Sequence, residues 1–369
     1  MTYECKTDLW DHLKQTNKKI VLWGMGNGAD KIISALEARG ISVSGIFASD
    51  GFARGNLFHS MPVRTWKDVK EEWGSDDVIV LLSFGSSRPD VIENILRLSS
   101  ECELYAPDVP AFGEGLFDRA FFEAHKEELA AARALLCDEE SRFIFDSVVS
   151  YKLSGNIQAL LAARSDEEIV WREIIRPDTF TAAADLGAYN GDTVRQLLEK
   201  SNRCVHTVWA MEPDARNFKK LQAYADAEES ARIIAVNAGA WSSDTTLTFD
   251  KSGNRNASFL NNRSSTLAPR PVKTEEVRAQ ALDTVLGGAR VDYIKYDVEG
   301  AEYEAILGSQ KTIAAYAPQL MVSLYHRNED LFRLPLLIHT MFPCYKGFYL
   351  RRFGGIPAWD LNLYVKETR

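Results

Sequence analysis

The sequence predicts an α/β protein with two parallel sheets of the doubly wound kind in succession, joined by a helical connector. Three observations carry this. Short apolar runs alternate with amphipathic helical stretches twice along the 369 residues, and strands that alternate with helices pair in parallel. Between the two alternations the chain is rich in Ala, Glu and Leu and shows no strand pattern. The second alternation opens on ADLGAYNGDTV, Ala184 to Val194, where an apolar run meets a glycine-bearing turn and then a helix start. The expected divisions are residues 1–110, 111–175 and 176–369.

In the front unit Lys19 to Trp23 reads as a strand, Ala29 to Arg39 as a helix with Ile32, Ile33 and Leu36 on one face, and Ser42 to Phe47 as a second strand. Met61 to Thr65, the strand Val78 to Ser83, a helix from Pro89 to Leu98 and the strand Glu103 to Tyr105 complete a small Rossmann-like unit. Its turn GMGNGAD fits the dinucleotide pattern with Ala29 in the third glycine's place, and Asp50 stands near where a ribose-binding acid belongs. Asp30 opposes that reading, because a carboxylate in the first helical turn repels a phosphate at the helix N-terminus. Tight strand-to-helix packing is the first reading of this turn, and a bound nucleotide is the competing one.

The connector is expected as helix over Leu116 to Leu136, Glu139 to Leu153 with Asp138 as cap, and Asn156 to Ala163, packed on the rear unit without ligand contacts. Glu167 to Trp171 is its part nearest the cleft. In the rear unit Ala182 to Leu186 lacks polar alternation and reads as a strand buried on both faces. A helix from Thr193 to Lys200, a strand ending at Glu212, a helix from Ala215 to Ala227 and a strand from Arg232 to Val236 follow. Thr245 to Phe249 is extended, and the polar stretch Lys251 to Ser265 is expected as a lid over the substrate. The strand Val291 to Tyr296 then delivers Asp297, and a helix runs on from Ala301. The strand Gln319 to Leu324 ends in Tyr325 and His326. After a helix over Asn328 to Met341, Tyr345 to Phe353 and Asp360 to Lys366 close as an antiparallel hairpin.

Spacing separates the ligands that such a rear turn suits. A dinucleotide needs bare backbone against its pyrophosphate, whereas the pattern here is D-x-G-x-x-x-G with bulky Tyr189 and Asn190 between Gly187 and Gly191. S-adenosylmethionine has no phosphate, and its cationic amino-acid end favours a carboxylate such as Asp185. Glu212 lies about 20 residues on, where a carboxylate reaches the two ribose hydroxyls. Small residues at Asn237 and Ala238 leave room for a flat adenine, with an amide or backbone N–H to read its edge. Lys295 sits mid-strand, so a buried ammonium there needs a carboxylate partner in the cleft. Asp297 is a second functional acid, against the plainer reading of a helix cap. His326, at the sheet's carboxyl edge and expected to titrate near neutral pH, suits a general base. Asp297 and Glu302 lack a His or third acid at ligand spacing in the sequence, so no metal is expected.

Composition narrows the partners. A formal net charge of −9, from 43 Lys+Arg against 52 Asp+Glu, disfavours nucleic acid and anionic membranes. Five scattered cysteines, none in C-x-x-C spacing, argue for reduced thiols and against structural zinc. The charged start MTYECKTDLWDHL and the absence of a long apolar run lead to the expectation of a cytoplasmic enzyme. The oligomeric state is left open.

ADLGAYNGDTV, VWAMEPD, VNAGAW, DYIKYDVEGAEYEAIL, SLYHRNEDLFRLPLLI and FYLRRFGGIPAWDLNLY occur in that order, and together they resemble an FkbM-type S-adenosylmethionine-dependent methyltransferase over Asp166 to Val365. The resemblance implies a class I methyltransferase fold, a seven-stranded sheet with an antiparallel C-terminal hairpin, and O-methylation of a hydroxyl on a sugar or natural product. By the same match Asp185, Gly187 and Gly191, in the turn with Tyr189 and Asn190, would line the methionine end, Glu212 the ribose, Asn237 and Ala238 the adenine, and Asp297 and His326 the transfer site. The front unit is similar to nucleotide-sugar-binding domains of sugar-modifying enzymes, which implies a nucleotide or nucleotide-sugar there. The expected mechanism is in-line displacement, in which positioning alone supplies ~7 kcal/mol or more. The rivals are a nicotinamide-dependent oxidoreductase or a nucleotide-sugar-binding protein acting through the front unit, and an N-methyltransferase, against which the missing N-P-P-Y-like motif speaks.

Overall fold

A computed structural model of the protein describes residues 7–49, 51–113, 115–250 and 274–367. Cys5, Asp50 and the expected lid, Lys251 to Ser265, lie outside the described residues. In the front unit the strands are β1 (Lys19–Trp23), β2 (Gly45–Phe47), β3 (Leu57–Phe58), β4 (Met61–Arg64), β5 (Val78–Leu82) and β6 (Glu103–Tyr105). They form a six-stranded sheet in the order β3-β4-β2-β1-β5-β6, parallel except for the β3–β4 pair. Chain order reverses between β1 and β5, and a crevice opens beyond their carboxyl ends. Helix Asn27–Glu37 starts in that crevice, two residues earlier than its apolar face suggests. A Cβ on Gly28 would lie 2.2 Å from the carbonyl oxygen of Ser83, so the glycine lets helix and strand meet. Asp30 turns to His59, 2.8 Å away.

Two front helices escaped the hydrophobic pattern. Leu9–Gln15 is capped by Asp8, and Trp66–Trp73 carries a reciprocal box between Thr65 and Asp68. The stretch expected as one helix over Leu116 to Leu136 is two, Arg119–Ala124 and Lys126–Leu135. They part at His125, whose ring stacks on Phe332 of the rear unit at 4.9 Å. Helix Glu139–Ser154 buries Ile144, Phe145, Val148 and Val149 and is no loose linker. Its buried Lys152 donates to Asp108 at 2.8 Å and to Asn328 at 3.3 Å, tying the front sheet's last loop to the rear unit.

The rear strands are β7 (Ala182–Leu186), β8 (Thr207–Met211), β9 (Arg232–Val236), β10 (Gly239–Ala240), β11 (Thr245–Asp250), β12 (Thr274–Gln280), β13 (Tyr293–Tyr296), β14 (Gln319–Ser323), β15 (Gly347–Arg352) and β16 (Leu361–Lys366). Seven of them form one sheet in the order β15-β16-β14-β13-β7-β8-β9, while β10, β12 and β11 make a small one. The large sheet is parallel from β14 to β9 and ends in the antiparallel pairs β14–β16 and β15–β16. This is the expected class I methyltransferase architecture. Its switch point falls between β7 and β13, where the register sets Asp185 opposite Lys295. Both sheets feed one apolar cluster, which includes Val80 of β5 and Val322 of β14. Among the described residues no helix is long and apolar enough to cross a membrane.

Candidate active site

Two cavities meet at the carboxyl edge of the rear sheet. The smaller, about 290 Å³, lies under helix Asp192–Lys200 and the π-helix Val170–Ile175, walled by Trp171, Asp185, Lys295, Asp297, Tyr325 and Asp360. Glu167 and Trp171, expected nearest the cleft, both line it. The larger, about 590 Å³, runs from Met25, Asn27 and Gly28 at the front crevice to Glu299, Tyr325 and His326. Tyr325 and Asp360 line both. The bridge between the units is short: Ser86 and Ile356 exchange backbone hydrogen bonds of 2.8 and 3.0 Å, and the Trp359 ring fills the space a Cβ on Gly85 would need.

At the switch point, the expected partner of Lys295 is Asp185. Nζ donates to Oδ1 at 2.9 Å and to the Gly187 carbonyl at 3.3 Å, and stands 3.7 Å from Asp297. Burial alone would lower its pKa, but the carboxylates of Asp185 and Asp297 hold it above the ordinary value. Thr193 donates to the other oxygen of Asp185. That carboxylate, 4 % exposed, is braced from inside the protein by both donors and lines the smaller cavity. Gly187 and Gly191 were expected to admit a ligand; what they admit is the chain itself. A Cβ on Gly187 (φ +86°) would lie 1.9 Å from the Asp297 carbonyl oxygen, and one on Gly191 would lie 2.5 Å from the Tyr224 ring.

Glu212 leaves the end of β8, buried, with one oxygen accepting from Tyr189 N–H and the other from Asp214 N–H, each at 2.9 Å. Burial pushes its carboxyl up to about 7 against those two donors. Each oxygen keeps a lone pair, which suits the two hydroxyls of a ribose. Asn190 accepts from Asp192 N–H at 3.2 Å and so closes its own turn. Asn237 donates its amide to the Glu212 and Pro213 carbonyls, at 2.9 and 3.3 Å, and the N–H of Ala238 goes to Val236. These bonds brace the turn; Ala238 is fully buried, and Glu212, Asn237 and Ala238 line neither of the two cavities described above.

The structure brings Asp297 and His326 together and surrounds them with acids. Asp297 Oδ1 accepts from Ser323 Oγ and Tyr325 Oη, both at 2.9 Å, and against its burial Lys295 and His326 hold its carboxyl below the usual range. His326 is 1 % exposed; Nδ1 lies 2.9 Å from Glu302 Oε1, and Nε2 lies 3.4 Å from Glu299 and 3.7 Å from Asp297. Burial would lower its pKa, but Glu302 first, then Glu299 and Asp297, push it up to about 10. The titration near neutral pH expected from the sequence is thereby corrected: with no ion bound, His326 keeps its proton at pH 7 and has no lone pair with which to take another. Glu299, which the sequence offers with Asp297 only as a helix cap, is a further acid of this cluster. Burial pushes its carboxyl up to about 8, with His326 opposing, and it stands at φ +54°, a strained backbone conformation frequent at functional sites. Asp297, Glu302 and His326, not at ligand spacing in the sequence, each bring one donor atom within 4.8 Å of the other two.

A family model described as the methyltransferase FkbM domain matches residues 185–348. No curated protein matches the chain. Among solved structures, the methyltransferase FkbM from Methylobacillus flagellatus KT aligns at a TM-score of 0.68 and 19 % identity over 94 % of this chain and 90 % of that one. A putative O-methyltransferase from Klebsiella pneumoniae aligns at 0.33 and 10 % identity, over 66 % of this chain and 97 % of that one. The fibrillarin of Aeropyrum pernix with natively bound S-adenosyl-L-methionine aligns at 0.31 and 9 % identity, over 52 % of this chain and 68 % of that one. The first of these shows a fold shared along nearly the whole chain, front unit included.

Proposed function

We propose, from the premise that residues 185–348 are an FkbM methyltransferase domain and the chain a methyltransferase, that it methylates a hydroxyl of a sugar or natural product from S-adenosylmethionine. The observation that carries this is the meeting of the two cavities at Tyr325 and Asp360. The larger one has the chemistry of a polyol site: the ring of Trp359, the hydroxyls of Ser83 and Ser86, and the carboxylates of Glu299 and Asp360. A free glycoside and a nucleotide-sugar present the same hydroxyl there, the latter with its tail toward Met25 and Gly28.

The donor set fits the cofactor. Glu212 has acceptor capacity for a ribose diol. When bound, S-adenosylmethionine supplies a methyl made electrophilic by its sulfonium. The chain's own residues do the rest. The Asp185–Lys295 pair fixes the switch point, Asp297 presents a carboxylate held by Ser323 and Tyr325, and Glu299 takes the hydroxyl proton at the inner end of the larger cavity. His326, a cation 3.4 Å away, stabilises the Glu299 carboxylate that must be present beforehand.

Incubating the protein with methyl-labelled S-adenosylmethionine and a small-molecule cell extract tests the reading. The expected product is a small molecule whose label survives mild alkali, as an ether does, with labelling lost in Glu212→Ala. Label that appears only in protein or nucleic acid refutes the hydroxyl assignment.

A further inference from the structure

Two polar atoms in the acidic cluster are sealed from solvent with nothing to bond. Nε2 of His326 and Oε2 of Glu302 have no hydrogen-bond partner, and both residues are 1 % exposed. A buried polar group left unsatisfied costs about 1–3 kcal/mol, and more when it is charged. The bond between Nδ1 and Oε1 satisfies one atom of each residue and leaves the other. Around them, Asp297, Glu299 and Asp330 add three more carboxyls, with Lys295 acting on Asp297 and Arg327 on Asp330. Four carboxyls thus crowd one imidazole, and Oε2 of Glu302 is left without a donor.

We propose that Asp297, Glu302 and His326 hold a divalent cation. On binding, the ion displaces the proton the ring carries while the site is empty. Their donor atoms lie within 4.8 Å of one another, and a cation at about 2.1 Å from its ligands spreads them about 3–4 Å apart, so the widest pair closes by at most roughly 1–2 Å to complete the set. One imidazole with two carboxylates suits a first-row ion such as Mn²⁺, and further positions stay open to water or substrate. His326 lines the larger cavity and Asp297 the smaller, which puts the ion where the two meet. There it can hold an acceptor oxygen; that placement rests on the reading of the larger cavity as the acceptor site, whereas the cation site itself does not.

Mn²⁺ alone, titrated into the full-length protein without cofactor or acceptor, tests the site by electron paramagnetic resonance. The expected result is saturable binding of a single ion with imidazole nitrogen modulation in the spin-echo spectrum. Asp297→Asn or His326→Gln should weaken it roughly tenfold or more. No saturable binding below about 1 mM, weaker than ordinary protein cation sites, overturns the proposal, as does bound Mn²⁺ without nitrogen modulation. The wild-type spectrum decides even where a variant fails to fold. Nitrogen-ligated Mn²⁺ in a protein that labels no hydroxyl would sink the acceptor assignment and leave this site standing.

Discussion

Replacing Lys295 with Met tests the electrostatics of the switch point directly. Nζ lies 2.9 Å from Asp185 and 3.7 Å from Asp297, and Lys295 and Asp185 are 8 % and 5 % exposed. Met fills most of the volume but leaves Asp185 as a buried carboxylate whose nearest cation has gone. Removing one partner of a buried pair costs about 3–5 kcal/mol, most of it the uncompensated charge. At about 2–4 °C per kcal/mol for a unit of roughly 200 residues, Tm should fall by roughly 10 °C. Asp185→Asn in the same chain removes that charge and keeps an acceptor for Thr193, so the double variant should recover at least half of the loss. Differential scanning calorimetry without cofactor measures both. A single variant within about 1 kcal/mol of wild type, or a double variant no better than the single, would refute the pairing argument.

Two further outcomes follow from the same geometry. Because burial pushes Glu299 up to about 8, it is protonated below that pH and a base above it, so kcat/KM should rise through about 8 and then level. His326, held at about 10, stays cationic across that range; Glu299→Gln should abolish the rise, and a limb near 6.5 instead would return the proton to His326. Gly187→Ala places a Cβ 1.9 Å from the Asp297 carbonyl at φ +86° and should cost more than about 3 kcal/mol, read as lost soluble yield or a lowered Tm. Unchanged yield and Tm would contradict this turn.

The central strands of both sheets were legible because parallel strands buried on both faces are plain apolar runs: β1 and β7 keep the bounds expected of them, and the edge strands β6 and β9 keep theirs although less buried. Helix Ala215–Ala227 was equally legible, since Asp214 caps it by accepting from Arg216 and Asn217. The box at Thr65 and Asp68 was a readable sign too, yet its helix buries only Val69 and so lacks a strong apolar stripe. What a sequence does not carry is distance in space. His326 and Glu302 are 24 positions apart, and only the pairing of β13 with β14 brings them to 2.9 Å. The charge of His326 was illegible for the same reason: the ordinary value of an imidazole presumes solvent, and this ring has three acids and almost no water. Trp359, read as part of a turn, becomes a cavity wall only because the front unit's Gly85 leaves room for it.

The front unit's place in the chemistry follows from what it covers. Phe112, just after the front sheet's last strand, donates its N–H to the His326 carbonyl at 3.0 Å and holds its ring 5.7 Å from the imidazole. It also packs on Gly300, where a Cβ would stand 3.1 Å from Phe112 Cβ. This loop, anchored by Lys31 to the carbonyls of Pro110 and Ala111 at 2.7 and 2.8 Å, covers the His326 side of the acid cluster. Burial is the largest influence on Glu299, so the raised carboxyl is made by two units together: β13 and the turn after it supply the acid, and the front loop covers that turn. The front unit thus packs against the turn that carries Glu299 and shares with Glu299 and His326 the walls of the larger cavity.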